Sequence, residues 1–188
     1  MNLSFSPSID IIFGPMFSGK TSEIIRRIII YHEMGLKVLY INALSDDRSD
    51  NAFSTHNSTI GKIPFESIKV NKLSDCKVEN YDVIAVDESQ FFDDLKLCIL
   101  NWCEVYKKII IVGGLNGDFQ RKPFGQINEL IPYADNIIKL SPFCMCCKRE
   151  KNIIRQAIFT KRISSTNHEI ILIGGKDLYI PVCRECYY

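Results

Sequence analysis

The sequence predicts an α/β protein: a P-loop-containing parallel sheet with helices on both faces, followed by a small zinc-stapled β lid. Three observations lead to this prediction. Short runs of Ile and Val alternate with longer helical patterns over roughly the first three quarters of the chain. A glycine-rich loop that ends in Lys-Thr follows the first of these runs, and two C-x-x-C pairs lie near the end.

Composition limits the possible classes of protein. The chain has 188 residues, 46% of them hydrophobic, and a formal net charge of +1, which fits one globular domain with a small appendage. These values exclude a disordered chain and a nucleic-acid binder that relies on a large positive charge. We expect no membrane partner and no signal peptide, because no apolar run reaches about 18 residues and the N-terminal pattern lacks a basic start. We therefore expect a cytoplasmic location, in the host cytoplasm if the chain is viral.

Four apolar runs without polar alternation predict strands that are buried on both faces, as in a parallel sheet. They are Ile9–Phe13, Val38–Ile41, Val83–Val86 and Ile109–Val112. Helical patterns cover Thr21–Met34, which ends at Gly35, and roughly Phe92–Lys107. We place a P-loop nucleotide-binding domain at residues 1–141 and a zinc-binding lid at 142–188, in which Glu169–Ile173 and Leu178–Cys183 form a hairpin.

The first candidate site is the motif G-x-x-x-x-G-K-T, which follows an apolar strand and begins a helix. Successive backbone N–H groups of such a loop surround phosphate oxygens, and the helix N-terminus adds partial positive charge. We expect Lys20 to contact the β- and γ-phosphates of ATP and the Thr21 hydroxyl to bind magnesium. The predicted ATP-binding residues of this loop are Gly14, Pro15, Met16, Phe17, Ser18, Gly19, Lys20 and Thr21.

A second motif, Tyr-Asp-Val-Ile-Ala-Val-Asp-Glu at residues 81–88, is a buried strand that ends in two carboxylates. This pattern predicts that Asp87 holds magnesium, directly or through water, and also belongs to the ATP site. Glu88 follows the strand end, where ligands of open α/β sheets bind. In an ATPase such a glutamate polarises water, whereas in a kinase it accepts a proton from a substrate hydroxyl. The two motifs together predict Mg-ATP binding but leave the phosphoryl acceptor open.

The eight cysteines are unevenly distributed, with five of them in the last 45 residues. Cys144 and Cys147 form one C-x-x-C pair, and Cys183 and Cys186 form the other. Paired thiolates at this spacing suit one tetrahedral structural zinc per chain rather than disulfides. Cys146 lies inside the first pair and could replace a neighbouring ligand. We interpret Cys76, Cys98 and Cys103 as core residues.

Five segments carry a resemblance to the type II (cellular-type) thymidine kinase family over nearly the whole chain. They are residues 14–21 (GPMFSGKT), 87–92 (DESQFF), 114–125 (GLNGDFQRKPFG), 160–162 (TKR) and 173–175 (IGG), with the C-x-x-C pairs around the last two. The resemblance implies transfer of the γ-phosphoryl group of ATP to the 5′-hydroxyl of thymidine, which yields thymidine monophosphate for DNA precursor synthesis. It also implies a homotetramer and feedback inhibition by thymidine triphosphate.

The resemblance assigns roles by position. Glu88 is similar to the general base, Gln90 to an outer ligand of magnesium or phosphate within the ATP site, and Arg48 to an arginine of the phosphoryl-transfer region. The implied thymidine-binding residues are Met16, Phe91, Leu115, Phe119, Phe124, Thr160, Ile170, Leu172, Gly174 and Tyr179. Without the resemblance, we would interpret Phe91, Leu115, Phe119 and Phe124 as plain core residues. Arg121 and Lys122 fit either a solvated basic patch or phosphate contacts.

Two other classes of function stay open at this point. A P-loop ATPase stimulated by DNA or RNA would need polynucleotide for turnover, and the net charge of +1 disfavours it. A zinc-dependent binding module with an inactive P-loop would bind nucleotide without turnover, which the intact Lys20, Thr21, Asp87 and Glu88 disfavour. The breadth of nucleoside specificity is also open.

Overall fold

The computed structural model describes residues 4–44, 64–163 and 178–188. Six strands form one sheet in which every neighbouring pair is parallel. They are β1 (Ser8–Phe13), β2 (Val38–Ala43), β3 (Glu66–Val70), β4 (Val83–Val86), β5 (Ile109–Gly114) and β6 (Asn136–Lys139). Their order across the sheet is β3-β2-β4-β5-β1-β6. The carboxyl ends of all six strands therefore lie at the same edge.

The four predicted strands are confirmed as β1, β2, β4 and β5. Every residue of β2, β4 and β5 is buried, as expected where apolar runs have helices on both sides. The sequence analysis did not predict β3 and β6, which are the two edge strands. Their sequences, ESIKV and NIIK, mix polar with apolar residues, and most of their side chains are partly or fully exposed. An edge strand has one neighbour, so its composition carries a weaker signal.

Helix α1 (Lys20–Glu33) covers one face of the sheet. Its residues Ile24 and Ile28 pack with Tyr40 of β2 and Ile111 of β5 in one apolar cluster. The predicted helix, Thr21–Met34, is confirmed to within one residue at each end. The helix stops at Gly35, which has a φ of 86° and whose N–H donates to the carbonyl of His32.

The opposite face is covered by α2 (Leu95–Leu100), by the π-helical turn Asn101–Val105 that continues it, and by the 3₁₀ segment Ile127–Tyr133. Leu95, Ile99 and Trp102 pack there with strand residues such as Val86. The sequence predicted a single helix over roughly Phe92–Lys107. The observed helix begins later, at Leu95, and its last turn is π-helical rather than α-helical. The N–H of Tyr106 donates to the carbonyl of Asn101, five residues earlier, which is the hydrogen bond of a π-helical turn.

A second, two-stranded antiparallel sheet follows, with strands β7 (Phe159–Arg162) and β8 (Tyr179–Val182). The predicted strand Leu178–Cys183 corresponds to β8, but β8 pairs with β7, which the sequence analysis did not predict. Residues Glu169–Ile173, which we expected as the partner strand, lie outside the described residues. Short helices α3 (Met145–Lys151) and α4 (Arg184–Tyr187) complete this part of the chain.

None of the helices that the structure describes combines the length and apolar character that crossing a bilayer requires.

Gly125 sets the packing of the segment 117–125 against the main sheet. It has a φ of 60°, and a Cβ atom added there would lie 2.5 Å from the carbonyl oxygen of Gln90. We expect Gly125→Ala to lower the free energy of unfolding by about 2–3 kcal/mol, through the left-handed backbone and the backbone overlap. Thermal unfolding should show a Tm lower by several degrees, at about 2–4 °C per kcal/mol.

Gly117→Ala is the matched control, because its added Cβ meets nothing closer than 3.4 Å. Equal Tm values for the two variants would contradict this account of Gly125.

Candidate active site

The loop between β1 and α1 forms the floor of the site. Gly14 leaves β1 so close to β6 that a Cβ atom there would lie 2.2 Å from the carbonyl oxygen of Leu140. Gly19 precedes α1 with a φ of 85°. The side chain of Lys20 is buried, and its Nζ donates to the carbonyl of Pro15 at 3.0 Å. The loop therefore brings an ammonium group and the N-terminus of a 14-residue helix to one place, which suits a phosphate group.

Asp87 follows β4 and is 1% exposed. Its Oδ2 accepts a hydrogen bond from the Tyr40 hydroxyl at 2.8 Å, and its Oδ1 accepts one from the Glu88 N–H at 2.8 Å. The Thr21 side chain also hydrogen-bonds to it. A carboxylate and a hydroxyl from the two motifs thus lie in contact, and hard oxygen donors of this kind suit magnesium.

The pKa of the Asp87 carboxyl is raised to about 6, first by burial and second by the charge of the adjacent Glu88. The hydrogen bonds from Thr21, the Glu88 N–H and Tyr40 act in the opposite direction. A buried carboxylate that three donors stabilise and a neighbouring carboxylate destabilises is well suited to receive a cation.

Glu88 and Gln90 form a connected pair beside Asp87. Glu88 has a left-handed backbone, with φ 48°. Gln90 is 4% exposed; its Nε2 donates to Glu88 Oε2 at 2.6 Å, and its Oε1 accepts from the Leu115 N–H at 2.9 Å. Both ends of this amide have a defined partner, so it fixes the Glu88 carboxylate relative to the segment that follows β5.

The structure brings two pairs of the implied thymidine-binding residues into contact. The Met16 N–H donates to the Thr160 hydroxyl at 3.0 Å, so the phosphate loop contacts β7 directly. The rings of Phe91 and Phe124 meet edge to face, with their centroids 5.9 Å apart. These contacts place four members of the predicted set on the carboxyl edge of the sheet or against it.

Phe119 and Tyr179 are connected through Arg162 of β7. The guanidinium carbon of Arg162 lies 3.9 Å from the centroid of the Phe119 ring, and its Nη2 donates to the Tyr179 hydroxyl at 2.6 Å. Arg48, Ile170, Leu172 and Gly174 lie outside the described residues.

The four paired cysteines converge, as their spacing predicts. The Sγ atoms of Cys144, Cys147, Cys183 and Cys186 all lie within 4.8 Å of one another. Cys147 Sγ is 3.7 Å from Cys183 Sγ and 3.6 Å from Cys186 Sγ. A tetrahedral zinc with Zn–S bonds of about 2.3 Å requires sulfur atoms about 3.8 Å apart. The thiol set therefore fits zinc.

Of the remaining cysteines, the sequence left the role of Cys146 open and predicted that Cys76, Cys98 and Cys103 are core residues. Cys146 does not belong to the converging set of thiols. Cys98 and Cys103 are buried in the core, and Cys76 packs partly buried against it.

Three residues of this region were missed or misread from the sequence. Tyr40 lies in an apolar run, yet its hydroxyl is bound to Asp87; a tyrosine in a fully buried strand was the available signal. Arg121 is exposed, as a solvated basic residue would be, but its guanidinium also lies over three aromatic rings, which the sequence did not predict. Tyr187 donates from its hydroxyl to the carbonyl of Phe119 at 2.7 Å, a long-range contact with no local signal.

Comparison with known proteins agrees with this geometry. The family model described as "Thymidine kinase" matches residues 7–187. The chain belongs to the thymidine kinase family. It is 41% identical to the thymidine kinases of Vaccinia virus (strain Ankara) and Monkeypox virus over 184 residues, which covers 95% of this chain and 96% of each relative. It is 40% identical to that of Myxoma virus (strain Uriarra) over 189 residues, or 98% of both chains.

The raised pKa of Asp87 predicts a pH-dependent stability for this thymidine kinase family member without magnesium or nucleotide. A carboxyl whose pKa is raised by folding destabilises the fold when it ionises, so the penalty is absent below about pH 4 and complete above about pH 6. Asp87→Asn should remove it. The variant should gain about 2–3 kcal/mol in unfolding free energy, relative to the parent, between pH 4 and pH 7.

Chemical denaturation in magnesium-free buffer measures this difference. Asp93→Asn, at an exposed position, is the control and should follow the parent at every pH. A pH profile for Asp87→Asn that runs parallel to that of the parent would contradict the prediction.

Proposed function

We propose that this chain transfers the γ-phosphoryl group of Mg-ATP to the 5′-hydroxyl of thymidine. The observation that carries the proposal is the convergence of the phosphate loop, the Thr21–Asp87 pair and Glu88 at one sheet edge. The thymidine kinase family model matches residues 7–187 of the same chain. This match, together with the convergence, supports thymidine as the acceptor.

Each residue of the site has a separate role in the proposed reaction. Lys20 and the backbone N–H groups of the loop hold the triphosphate, and Thr21 and Asp87 hold magnesium, which offsets phosphate charge when it is bound. Glu88 accepts the proton of the 5′-hydroxyl as that oxygen forms a bond to the γ-phosphorus. The bond from phosphorus to the β–γ bridging oxygen breaks, and ADP leaves. Gln90 keeps the Glu88 carboxylate oriented for this transfer, in addition to its predicted place in the ATP site.

Thymine occupies a slot of aromatic and aliphatic side chains in this proposal, with Met16, Phe91, Leu115, Phe119 and Phe124 on the side of the main sheet. Thr160 and Tyr179 come from the second sheet. Roles for Ile170, Leu172 and Gly174 in the same slot, and for Arg48 in phosphoryl transfer, follow from the family resemblance alone.

The oligomeric state, the regulation and the location that we propose also follow from the family resemblance. We propose a homotetramer that is inhibited by thymidine triphosphate and acts in the cytoplasm, without a membrane or a nucleic-acid polymer as partner. We also retain the division into a nucleotide-binding domain at 1–141 and a zinc-binding lid at 142–188.

A phosphorylation assay with labelled ATP tests the proposed function. Thymidine should be phosphorylated in preference to the other common deoxynucleosides, with no stimulation by DNA or RNA. Glu88→Gln should keep nucleotide binding but lower kcat by a factor of about 10² or more, the usual effect of removing a general base.

Glu79→Gln, an exposed side chain, is the control for that substitution. ATP turnover that requires polynucleotide would overturn the proposed function, and near-normal kcat in Glu88→Gln would overturn the assignment of the base.

We further propose one structural zinc per chain at Cys144, Cys147, Cys183 and Cys186. The two knuckles join α3 and α4 to β7 and β8, and this cluster has few other buried apolar residues, among them Ala157 and Val182. A metal centre supplies folding free energy that so small a core lacks.

Metal analysis of two serine variants tests the zinc site. Cys183→Ser should lose most of the bound zinc and unfold at lower temperature, because three thiolates hold the metal less tightly. Cys146→Ser is the matched control, since it lies in the same knuckle but outside the ligand set. Full zinc content in Cys183→Ser, or loss of zinc in Cys146→Ser, would refute these ligands.

A further inference from the structure

A group of stacked side chains connects the segment after β5 to the zinc-binding part of the chain. The guanidinium of Arg121 lies 4.3 Å from the ring centroid of Tyr187, 5.0 Å from that of Tyr188 and 5.5 Å from that of Phe159. Its Nη1 also donates to the Tyr188 hydroxyl at 2.8 Å. We call these four residues, Arg121, Phe159, Tyr187 and Tyr188, the aromatic latch. Cation–π contacts of this kind attract the arginine to the ring faces.

A hydrogen-bonded turn positions Arg121 on the main-domain side of the latch. Asp118 Oδ1 accepts hydrogen bonds from the N–H groups of Gln120, at 2.8 Å, and Lys122, at 2.9 Å. Arg121 lies in the turn so formed, with a left-handed φ of 67°. A non-glycine residue keeps this conformation only where its surroundings enforce it. Asp118 therefore holds the turn that presents the Arg121 side chain.

On the other side, the zinc ligands set the position of the latch. Tyr187 directly follows the predicted ligand Cys186, and Lys161 Nζ donates to the Cys186 carbonyl at 3.1 Å. The Tyr187 ring also meets Phe159 of β7 edge to face, with centroids 5.4 Å apart. Tyr187 is thus tied to the thiol cluster through the backbone and to β7 through its ring.

Tyr187 of the zinc knuckle and Arg162 of the second sheet both contact Phe119. The Tyr187 hydroxyl donates to the Phe119 carbonyl at 2.7 Å, while Arg162 of β7 stacks on the Phe119 ring. The backbone and the ring of one proposed thymidine-binding residue are therefore both held by residues of the second sheet and its zinc knuckle.

We propose that Tyr187 and Arg121 are positioning residues that couple the zinc-binding part of the chain to nucleoside recognition by fixing Phe119. This inference rests on the proposed function, in which Phe119 contacts thymine. The hydrogen bond of the phosphate loop to β7, from Met16 to the Thr160 hydroxyl, is separate from these contacts, so loss of the latch should weaken nucleoside binding and leave ATP binding unchanged.

Tyr187→Phe is the sharpest test, because it removes the hydroxyl bonded to Phe119 and keeps the ring under Arg121. The thymidine KM should rise about 3- to 10-fold, the usual range for one neutral hydrogen bond. The KM for Mg-ATP and kcat should stay within about twofold of the parent. Tyr106→Phe, an exposed tyrosine elsewhere, is the control and should change neither KM.

Two substitutions of Arg121 separate the cation from the bulk of the side chain. Arg121→Met should raise the thymidine KM alone, whereas Arg121→Lys, which keeps a cation over the rings, should restore most of the lost affinity. Equal rises in both KM values, or no rescue by lysine, would overturn the positioning role.

Amide hydrogen exchange of residues 117–123 provides a readout that needs no substrate. Tyr187→Phe should exchange faster in this segment while it keeps the zinc content of the parent, and unchanged exchange would overturn the coupling. If the parent protein phosphorylates no nucleoside, the proposed function fails, and the exchange measurement still decides whether Tyr187 fixes the segment.

Discussion

The structure depends on one constraint: six strands that all run in the same direction. Parallel strands end at a common edge, so the loop after β1, the carboxylates after β4 and the segment after β5 meet there although they lie far apart in sequence. Because β5 alone separates β4 from β1, the Thr21 side chain reaches Asp87 directly. The apolar strands beneath this edge supply the burial that raises the pKa of Asp87.

The second sheet contributes to the site through contacts of a different kind. It reaches the phosphate loop through the Thr160 hydroxyl and the segment 117–125 through Arg162, and Tyr187 of the adjoining α4 contacts the same segment. These contacts are hydrogen bonds and stacked cations rather than a shared apolar core. Such interactions are directional, and each fixes the orientation of one group at a modest gain in stability.

Most of the main sheet could be predicted, because strands that are buried on both faces consist almost entirely of apolar residues. The strands β2, β4 and β5 are continuous apolar runs, and the helix after the phosphate loop has a clear start and stop. The edge strands β3 and β6 escaped prediction because half-exposed strands share their composition with loops.

The site, like the sheet, has one part that the sequence predicts and another part that it does not. The phosphate loop, Asp87, Glu88 and the four cysteines are local motifs whose spacing is visible in the sequence. The hydroxyl of Tyr40 on Asp87, and the contacts of Arg121 and Tyr187, are not. They join residues 38 or more positions apart, and only the folded chain shows which of these groups are in contact.

Glu88 has a consequence for how this protein trades stability against activity. Its left-handed backbone, with φ 48°, favours glycine or asparagine, and a longer side chain there costs about 1 kcal/mol. It also places a second negative charge beside a buried carboxylate. Glycine at this position would therefore relieve both costs but would remove the carboxylate that we propose as the general base. A glutamate at a position that both the backbone and the local charge disfavour is typical of a site that serves reactivity rather than folding.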